Sequence, residues 1–229
     1  MGRRDVKRGA EGDAESEALP VDVRESILDV AERQFAGNGV SGTTVRAITA
    51  EAGVNVAAVN YYFRSKEELY REVVGRRLGP LNEERARLLA DCLRRAGGKR
   101  PAAKEVLRAL AEPSLRLCYE HPHFARLLSR LRYDLDDSLW PAYRSWQAEL
   151  TEGFRQALAA ALPNLSEAEL RMRLHYVLGT IQQVWAHCPR PEGETPEGLL
   201  ASFMAFYAAG LNAPAPVKVG SKETSRTKS

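Results

Sequence analysis

The stretch from Asn60 to Lys66 concentrates side chains whose chemistry suits nucleic acid. Asn60 carries a donor and an acceptor that can read the N6 and N7 atoms of adenine. Tyr62, Arg64 and Lys66 can donate hydrogen bonds to phosphate oxygens. Residues 41–66 contain three basic side chains against one acidic side chain, so the local charge is positive. The pattern predicts a DNA-binding surface.

Two short helices joined by a tight turn must position these side chains. Each carries its apolar residues on one face: Val45, Ile48, Thr49 and Ala52 in the first, Val59 and Phe63 in the second. Gly53 can adopt a positive φ in the turn, and Asn55 can cap the second helix. Ala57 and Ala58 are small enough for the backbone to approach base edges and a thymine methyl. This layout indicates a helix-turn-helix, whose second helix enters the major groove.

The sequence TTVRAITAEAGVNVAAVNYYFRSKEEL, residues 43–69, resembles the DNA-binding domain of TetR-family transcriptional regulators. The resemblance covers about residues 23–74. It includes the threonine before the first of the two helices, AGV in the turn, YYF at the end of the second helix and SKEEL at the start of the next. One departure is Thr49, where the family usually has alanine, and it leaves the resemblance intact.

The resemblance implies a repressor that dimerises through its C-terminal domain and releases DNA when a small molecule binds there. It also implies which residues contact DNA. Bases would be read by Val56, Ala57, Ala58, Asn60 and Tyr61, and phosphates would be bound by Thr44, Tyr62 and Lys66. Core packing is the alternative role for the two tyrosines.

Composition narrows the class of protein. The chain has 229 residues and a net charge of only +3, so its bulk charge neither requires nor excludes a nucleic-acid partner. Its three cysteines are odd in number and far apart, which does not suit a secreted disulfide framework. No signal peptide or membrane-spanning run is evident. We expect a cytoplasmic protein with no membrane partner.

Two other classes of protein remain alternatives. An architectural or nonspecific DNA-binding protein should have a strongly basic footprint, and this one is only mildly basic. An enzyme would require a catalytic constellation, but the chain has no nucleophile elbow, phosphate-binding glycine loop or H-E-x-x-H motif. We therefore expect no enzyme activity, no cofactor and no metal site.

Apolar residues recur at helical spacing almost throughout, which predicts an all-α fold. Four regions are expected: a disordered arm at 1–20, a three-helix helix-turn-helix domain at 21–74, a helical effector-binding and dimerisation domain at 75–212, and a disordered tail at 213–229. Later helices are expected at about 66–95, 102–119, 122–133, 138–162, 167–187 and 196–210, with a kink or break at Pro113.

The C-terminal domain contains candidates for a dimer interface and a ligand pocket. Its last two helices carry more apolar surface than one packed face requires, which favours a homodimer. The candidate interface residues are Leu174, Leu178, Ile181, Phe203, Met204 and Tyr207. Aromatic and basic residues could line a pocket for a small-molecule effector: Arg132, Tyr133, Trp140, Tyr143, Trp146 and His175. Burial within one subunit is the alternative for both sets.

Overall fold

The computed structural model describes residues 21–134, 140–187, 193 and 195–215, with side chains for all of these except 21–22, 132–134, 140–147 and 149–150. Every regular element in these ranges is an α-helix, which confirms the predicted all-α fold. The helices are α1 (Val21–Gly42), α2 (Val45–Ala52), α3 (Val56–Phe63), α4 (Lys66–Ala96), α5 (Ala103–Glu120), α6 (Pro122–Asp134), α7 (Trp140–Ala161), α8 (Glu167–His187) and α9 (Pro196–Asn212). Residues 1–20 and 216–229, which include most of the predicted arm and tail, lie outside the described residues.

Side-chain caps set the starts of the three helices after α1. The hydroxyl of Thr44 accepts a hydrogen bond from the backbone N–H of Ala47 at 3.1 Å and caps α2. Asn55 caps α3 and Ser65 caps α4 in the same way. Gly53, between α2 and α3, has a φ of +68°, a conformation that glycine adopts without steric cost. The predicted cap at Asn55 and the predicted turn at Gly53 are confirmed.

The longest described helix, α4, joins the helix-turn-helix to the rest of the chain. Its 31 residues give a length of about 46 Å, and it runs without interruption through the predicted domain boundary at 74–75. Neither α4 nor any other helix in the described ranges is long and apolar enough to cross a membrane. Because α4 is one continuous helix, a displacement of its C-terminal part would also move Lys66 at its start.

The helix-turn-helix and the C-terminal helices are also connected through α6, which packs against both α1 and α8. Helix α5 lies at the centre of the C-terminal helices and contacts α4, α7, α8 and α9. It continues through Pro113, which is buried inside it, so of the predicted kink or break the break does not occur. Packing on several sides outweighs the loss of one backbone hydrogen bond.

Candidate nucleic-acid interface

The outward side of α3 forms a continuous exposed surface, which we call the recognition face. It comprises Val56, Ala57, Asn60 and Tyr61. Tyr61 is 57% exposed and Val56 is 42% exposed, although both are large apolar or aromatic residues. On the opposite side, Val59 and Phe63 are fully buried, as the spacing predicts. Their burial anchors α3 and leaves the recognition face uncovered.

Ala58 does not belong to this face. It is buried, with 6% of its surface exposed, so the expectation that it lies on the outer surface of α3 is wrong. The reason is helical geometry: Ala58 and the half-buried Tyr62 are four residues apart and therefore share a face. That face adjoins the stripe made by Val59 and Phe63, so the core covers a wider arc of α3 than two residues would suggest.

The two tyrosines occupy different environments. Tyr62 is half-buried, and its ring lies 5.9 Å from the ring of Phe63. Tyr61 packs edge-on against Tyr62 at a ring distance of 5.2 Å but otherwise faces outward. Core packing therefore accounts for part of the Tyr62 side chain and leaves Tyr61 available to a ligand.

The predicted phosphate contacts Thr44 and Lys66 also perform structural roles. Thr44 is exposed, but its hydroxyl caps α2. Lys66 is half-buried, and its Nζ donates to the backbone oxygens of Val40 at 2.9 Å and Thr43 at 3.2 Å. Two of the three ammonium donors thus bind the protein itself. Whether the third reaches a phosphate stays a prediction.

Two exposed arginines lie close in sequence to the recognition face. Arg46 lies on α2 and Arg64 directly follows α3. Arg64 has a φ of +55°, which is uncommon for a residue with a side chain. The sequence already suggested Arg64 as a phosphate contact, whereas Arg46 was not assigned a contact, although a basic residue on the helix before α3 is a usable signal. Both are suited to phosphates.

The acidic residue near this surface is neutralised by α1. Glu51, near the end of α2, accepts hydrogen bonds from Gln34 and from Arg33, whose Nη2 lies 2.9 Å from the carboxylate. These hydrogen bonds hold the pKa of the Glu51 carboxyl below its usual range. The carboxylate stays ionised at neutral pH, but its charge is compensated, so the positive character of the surface is preserved.

Comparison with known proteins agrees with this geometry. The family model for bacterial regulatory proteins of the tetR family matches residues 27–73, and the model for a tetracyclin repressor-like C-terminal domain matches residues 108–210. The chain belongs to the TetR family of transcriptional regulators.

Curated relatives match over short stretches of the chain. The HTH-type transcriptional dual regulator CecR of Shigella flexneri is 39% identical over 74 residues, which cover 29% of this chain and 33% of the relative. The transcriptional repressor KstR2 of Mycolicibacterium smegmatis is 36% identical over 55 residues, covering 24% and 27%. The matched part of the chain thus spans at most about a third of the length of these relatives.

The fold extends the likeness to most of the chain. A TetR-family transcriptional regulator from Bordetella parapertussis superposes with a TM-score of 0.69 at 19% identity, covering 82% of this chain and 95% of that one. The regulator PfmR from Thermus thermophilus gives a TM-score of 0.62 at 20% identity, covering 85% and 98%. The all-α architecture is therefore that of the TetR family.

Most side chains of the pocket predicted for this TetR-family protein lie outside the described part of the structure. They are those of Arg132, Tyr133, Trp140, Tyr143 and Trp146. His175 is described and is exposed beside a groove of about 520 Å³ between α7 and α8. Four of the eight residues that line the groove are charged. The predicted effector pocket stays a prediction.

Sequence reasoning missed a buried polar cluster in the C-terminal region. Arg85 on α4 is 2% exposed, and its Nε donates to the hydroxyl of Ser114 on α5 at 3.0 Å. The guanidinium also lies 5.8 Å from the ring of Trp185 on α8, whose indole nitrogen donates to the Ser114 carbonyl. Three helices are joined at this point through polar groups, although their sequence spacing gives no hint of it.

The predicted dimer-interface residues divide into two groups. Leu174, Ile181, Phe203 and Met204 are buried within the single chain, and Leu178 and Tyr207 are half-buried. The large exposed apolar residues of the same two helices are instead Met172, Tyr176 and Phe206, which are 48%, 57% and 72% exposed. The interface itself stays a prediction.

Proposed function

We propose that this protein is a ligand-responsive repressor that binds a palindromic DNA operator as a homodimer and is released by a small-molecule effector. Residues 21–74 bind DNA in this proposal, and residues 75–212 bind the effector and the second subunit. The observation that carries it is the uncovered recognition face of α3. A helix of eight residues that exposes Val56 and Tyr61 to water gains by docking into a groove.

The chemistry of the recognition face suits base edges. Asn60 is exposed in the middle of α3 and can form a paired contact with adenine, while Val56 and Ala57 offer apolar contact to a thymine methyl. Arg46 on α2 and Arg64 at the end of α3 are exposed and could bind phosphates beside the groove. Base-reading groups on α3 together with these cations favour a specific operator over nonspecific binding.

Dimerisation is supported by an uncharged exposed face on α8 and α9. Met172, Tyr176, Gly179 and Gln183 are exposed at intervals of four, three and four residues, so they form one stripe along α8. On α9, residues 198–212 contain no charged side chain, although Phe206 and several small residues are exposed. An uncharged stripe over two adjacent helices fits a self-complementary two-fold interface.

The effector would act by changing the separation of the two recognition faces. Such coupling requires the effector to bind the two conformations of the dimer with binding free energies that differ by about 1 to 3 kcal/mol. KstR2 is named a repressor and CecR a dual regulator, so the relatives include more than one mode of regulation. We assign repression, since covering an operator requires only binding.

Selection of bound sequences from a random DNA pool tests the proposal. The enriched sequence should be an inverted repeat whose half-sites lie about 34 to 36 Å apart or at a multiple of that spacing. Release should then be screened by adding metabolites and antibacterial compounds to the complex. No enriched sequence, or one without two-fold symmetry, would contradict the proposed operator, and an operator that no compound displaces would contradict the effector.

A further inference from the structure

The far end of α4 carries the most concentrated positive charge in the described part of the chain. Residues 94–104 contain five basic side chains and no acidic one, whereas residues 41–66, which include the recognition face, contain three basic side chains and one acidic one. We call this set the basic end, and all of its members are exposed: Arg94, Arg95, Lys99, Arg100 and Lys104. The length of α4, about 46 Å, separates it from Lys66.

The basic end is built on a short, anchored connection between α4 and α5. Gly97 and Gly98 have φ values of +58° and +77°, a region that glycine adopts without steric cost, and α5 begins at Ala103. Pro101 and Ala103 are buried, while the two basic residues before Pro101 are exposed. The buried residues fix the connection to the core, so its cations are presented from a fixed backbone.

Most of the charge of the basic end is not compensated. Arg94 pairs with Asp91 at 2.7 Å, and Arg95 lies 3.7 Å from Glu105. Across the residues that the structure describes, the other three cations take part in no ion pair and no side-chain hydrogen bond: Lys99, Arg100 and Lys104.

Helix stability explains only part of the basic end. Arg94 and Arg95 lie in the last turn of α4, where a cation is favourable beside the negative end of the helix dipole. Lys104 lies in the first turn of α5, where the same dipole disfavours a cation. Lys99 and Arg100 lie outside both helices. The three cations without a counter-charge therefore do not stabilise the helices next to them, which favours a role in binding.

The composition of the basic end favours the phosphate backbone of a nucleic acid over other anionic partners. Apart from the cations, residues 94–104 are alanine, glycine and proline only. A membrane surface is normally bound with the help of inserted apolar side chains, and a protein partner with the help of buried aromatic or aliphatic anchors. A duplex requires only closely spaced cations, because it carries one negative charge about every 1.7 Å along its axis.

We propose that the basic end binds the phosphate backbone of a second DNA duplex, so that the protein holds an operator at the recognition face and another stretch of DNA at the far end of α4. This inference goes beyond the proposed function, because a repressor that only covers an operator needs no second DNA site. Contacts to phosphates carry no sequence information, so any duplex can be the second one.

Capture of a second duplex tests the bridge. The selected operator is fixed to beads and saturated with the full-length chain, and a labelled random-sequence duplex without an operator is then added. The wild type should retain it. The double variant Lys99→Gln/Arg100→Gln should retain at least about tenfold less at about 0.1 M salt, and the salt dependence of capture should flatten by about 0.9 for each cation removed. Its urea midpoint should stay unchanged, because both side chains are exposed.

Two control variants separate this effect from a general loss of charge. Lys99→Arg/Arg100→Lys keeps both charges and should capture the second duplex as the wild type does. Arg126→Gln/Arg171→Gln removes two exposed cations from α6 and α8 and should also leave capture unchanged. If this last variant loses capture as much as Lys99→Gln/Arg100→Gln does, only the net charge of the protein matters and the inference is wrong.

Lysine modification tests the contact without an operator. In an excess of random-sequence duplex, Lys99 and Lys104 of the full-length chain should react about fivefold more slowly with an acetylating reagent, and about 1 M salt should remove this protection. Equal reactivity with and without DNA would contradict the inference. A wild type that selects no operator refutes the proposed function separately, while this footprint still decides whether the basic end binds DNA.

Two other results would assign the basic end to a different partner and overturn the second DNA site. One is capture of vesicles containing phosphatidylserine, in place of the duplex, by the wild type but not by Lys99→Gln/Arg100→Gln. The other is a loss of affinity of this variant for a short duplex that contains only the operator, which would mean that the basic end contacts the operator itself.

Discussion

The helix pair α2–α3 and the helix pair α8–α9 expose apolar surface in different ways. α2 and α3 have eight residues each and begin at side-chain caps, and exposed arginines flank the apolar residues of α3. α8 and α9 have 21 and 17 residues, and the exposed face of α9 carries no charge between residues 198 and 212. Apolar groups next to cationic side chains suit a polyanion such as DNA, whereas an uncharged face suits a second copy of the same face.

The contrast also concerns what holds each pair in place. Two helices of eight residues are too short to be stable alone, so their caps and their few buried side chains determine their geometry. The longer pair is held by wide burial, including Ile181, Phe203 and Met204. Substitutions at exposed positions of α2 and α3 should therefore change DNA binding, and those on α8 and α9 should change the association of subunits.

The largest expected effect is loss of the dimer in Phe206→Glu. Phe206 is 72% exposed in the single chain, so the fold should survive, but a carboxylate in an uncharged interface should cost about 2 to 4 kcal/mol per chain. Sedimentation equilibrium should show a monomer where the wild type is a dimer, and operator affinity should fall with it.

Leu93→Glu is the matched control for this change, because Leu93 is also exposed but lies on α4. Phe203→Glu would not serve, since Phe203 is buried and its replacement should unfold the chain. A wild-type monomer at micromolar concentration, or equal effects of Phe206→Glu and Leu93→Glu, would show that the uncharged face is not the interface.

The second expected effect concerns α3 alone. Asn60→Ala should cost about 1 to 3 kcal/mol for each base pair that Asn60 reads and should relax the preference there, while thermal stability stays unchanged because Asn60 is exposed. Repeating the sequence selection with the variant measures both. A uniform loss of affinity over all sequences would mean that Asn60 contributes to phosphate binding or to the fold.

The sequence predicts best where the determining residues are neighbours. The cap at Asn55 and the turn at Gly53 depend on one to four consecutive residues, and both are confirmed. For α4 to α9, every predicted end lies within two residues of the observed one. Strong caps and helical periodicity are local, so no knowledge of packing is needed for them.

Prediction fails where a side chain is used by a distant part of the chain. The phosphate contact of Lys66 stays a prediction, but the sequence did not show that its ammonium group also binds carbonyls 23 and 26 residues away. Arg85 meets Ser114 across 29 residues, and Arg130 meets Gly37 across 93. Apolar periodicity likewise cannot separate Phe203, which is buried, from Phe206, which is exposed, because both belong to one apolar run.

The third prediction concerns the backbone conformation of the turn between α2 and α3. Gly53→Ala should destabilise the protein by about 1 to 2 kcal/mol, because its φ of +68° is costly for any residue with a Cβ atom. No atom lies within 4 Å of the added methyl group, so steric contact is not the cause. Gly37→Ala, also without a contact and at an ordinary φ, should be neutral or stabilising. Urea denaturation of both variants measures the difference, and equal stabilities would contradict the conformational explanation.

The smallest expected effect concerns the contact between α1, α4 and the end of α5 and depends on pH. His121 follows α5, and its Nε2 lies 3.3 Å from Nη1 of Arg77, which also binds the buried carboxylate of Glu32. Burial, and then the charge of Arg77, lower the pKa of the His121 ring, while Glu32 and Glu120 oppose this and Arg76 adds to it.

Because the folded chain disfavours the protonated ring, the unfolded chain binds more protons once the pH falls below about 6.5, the ordinary value for histidine. The contribution of neutral His121 to stability is therefore fully present above that pH and is lost as the pH falls through the lowered pKa. Between pH 7.5 and 5.5 the urea midpoint of the wild type should fall more than that of His121→Gln, which cannot titrate. If the two proteins lose stability in parallel, the His121 ring is as easily protonated in the folded chain as in the unfolded one, and the contact with Arg77 does not contribute to holding α5 and α6 against α4.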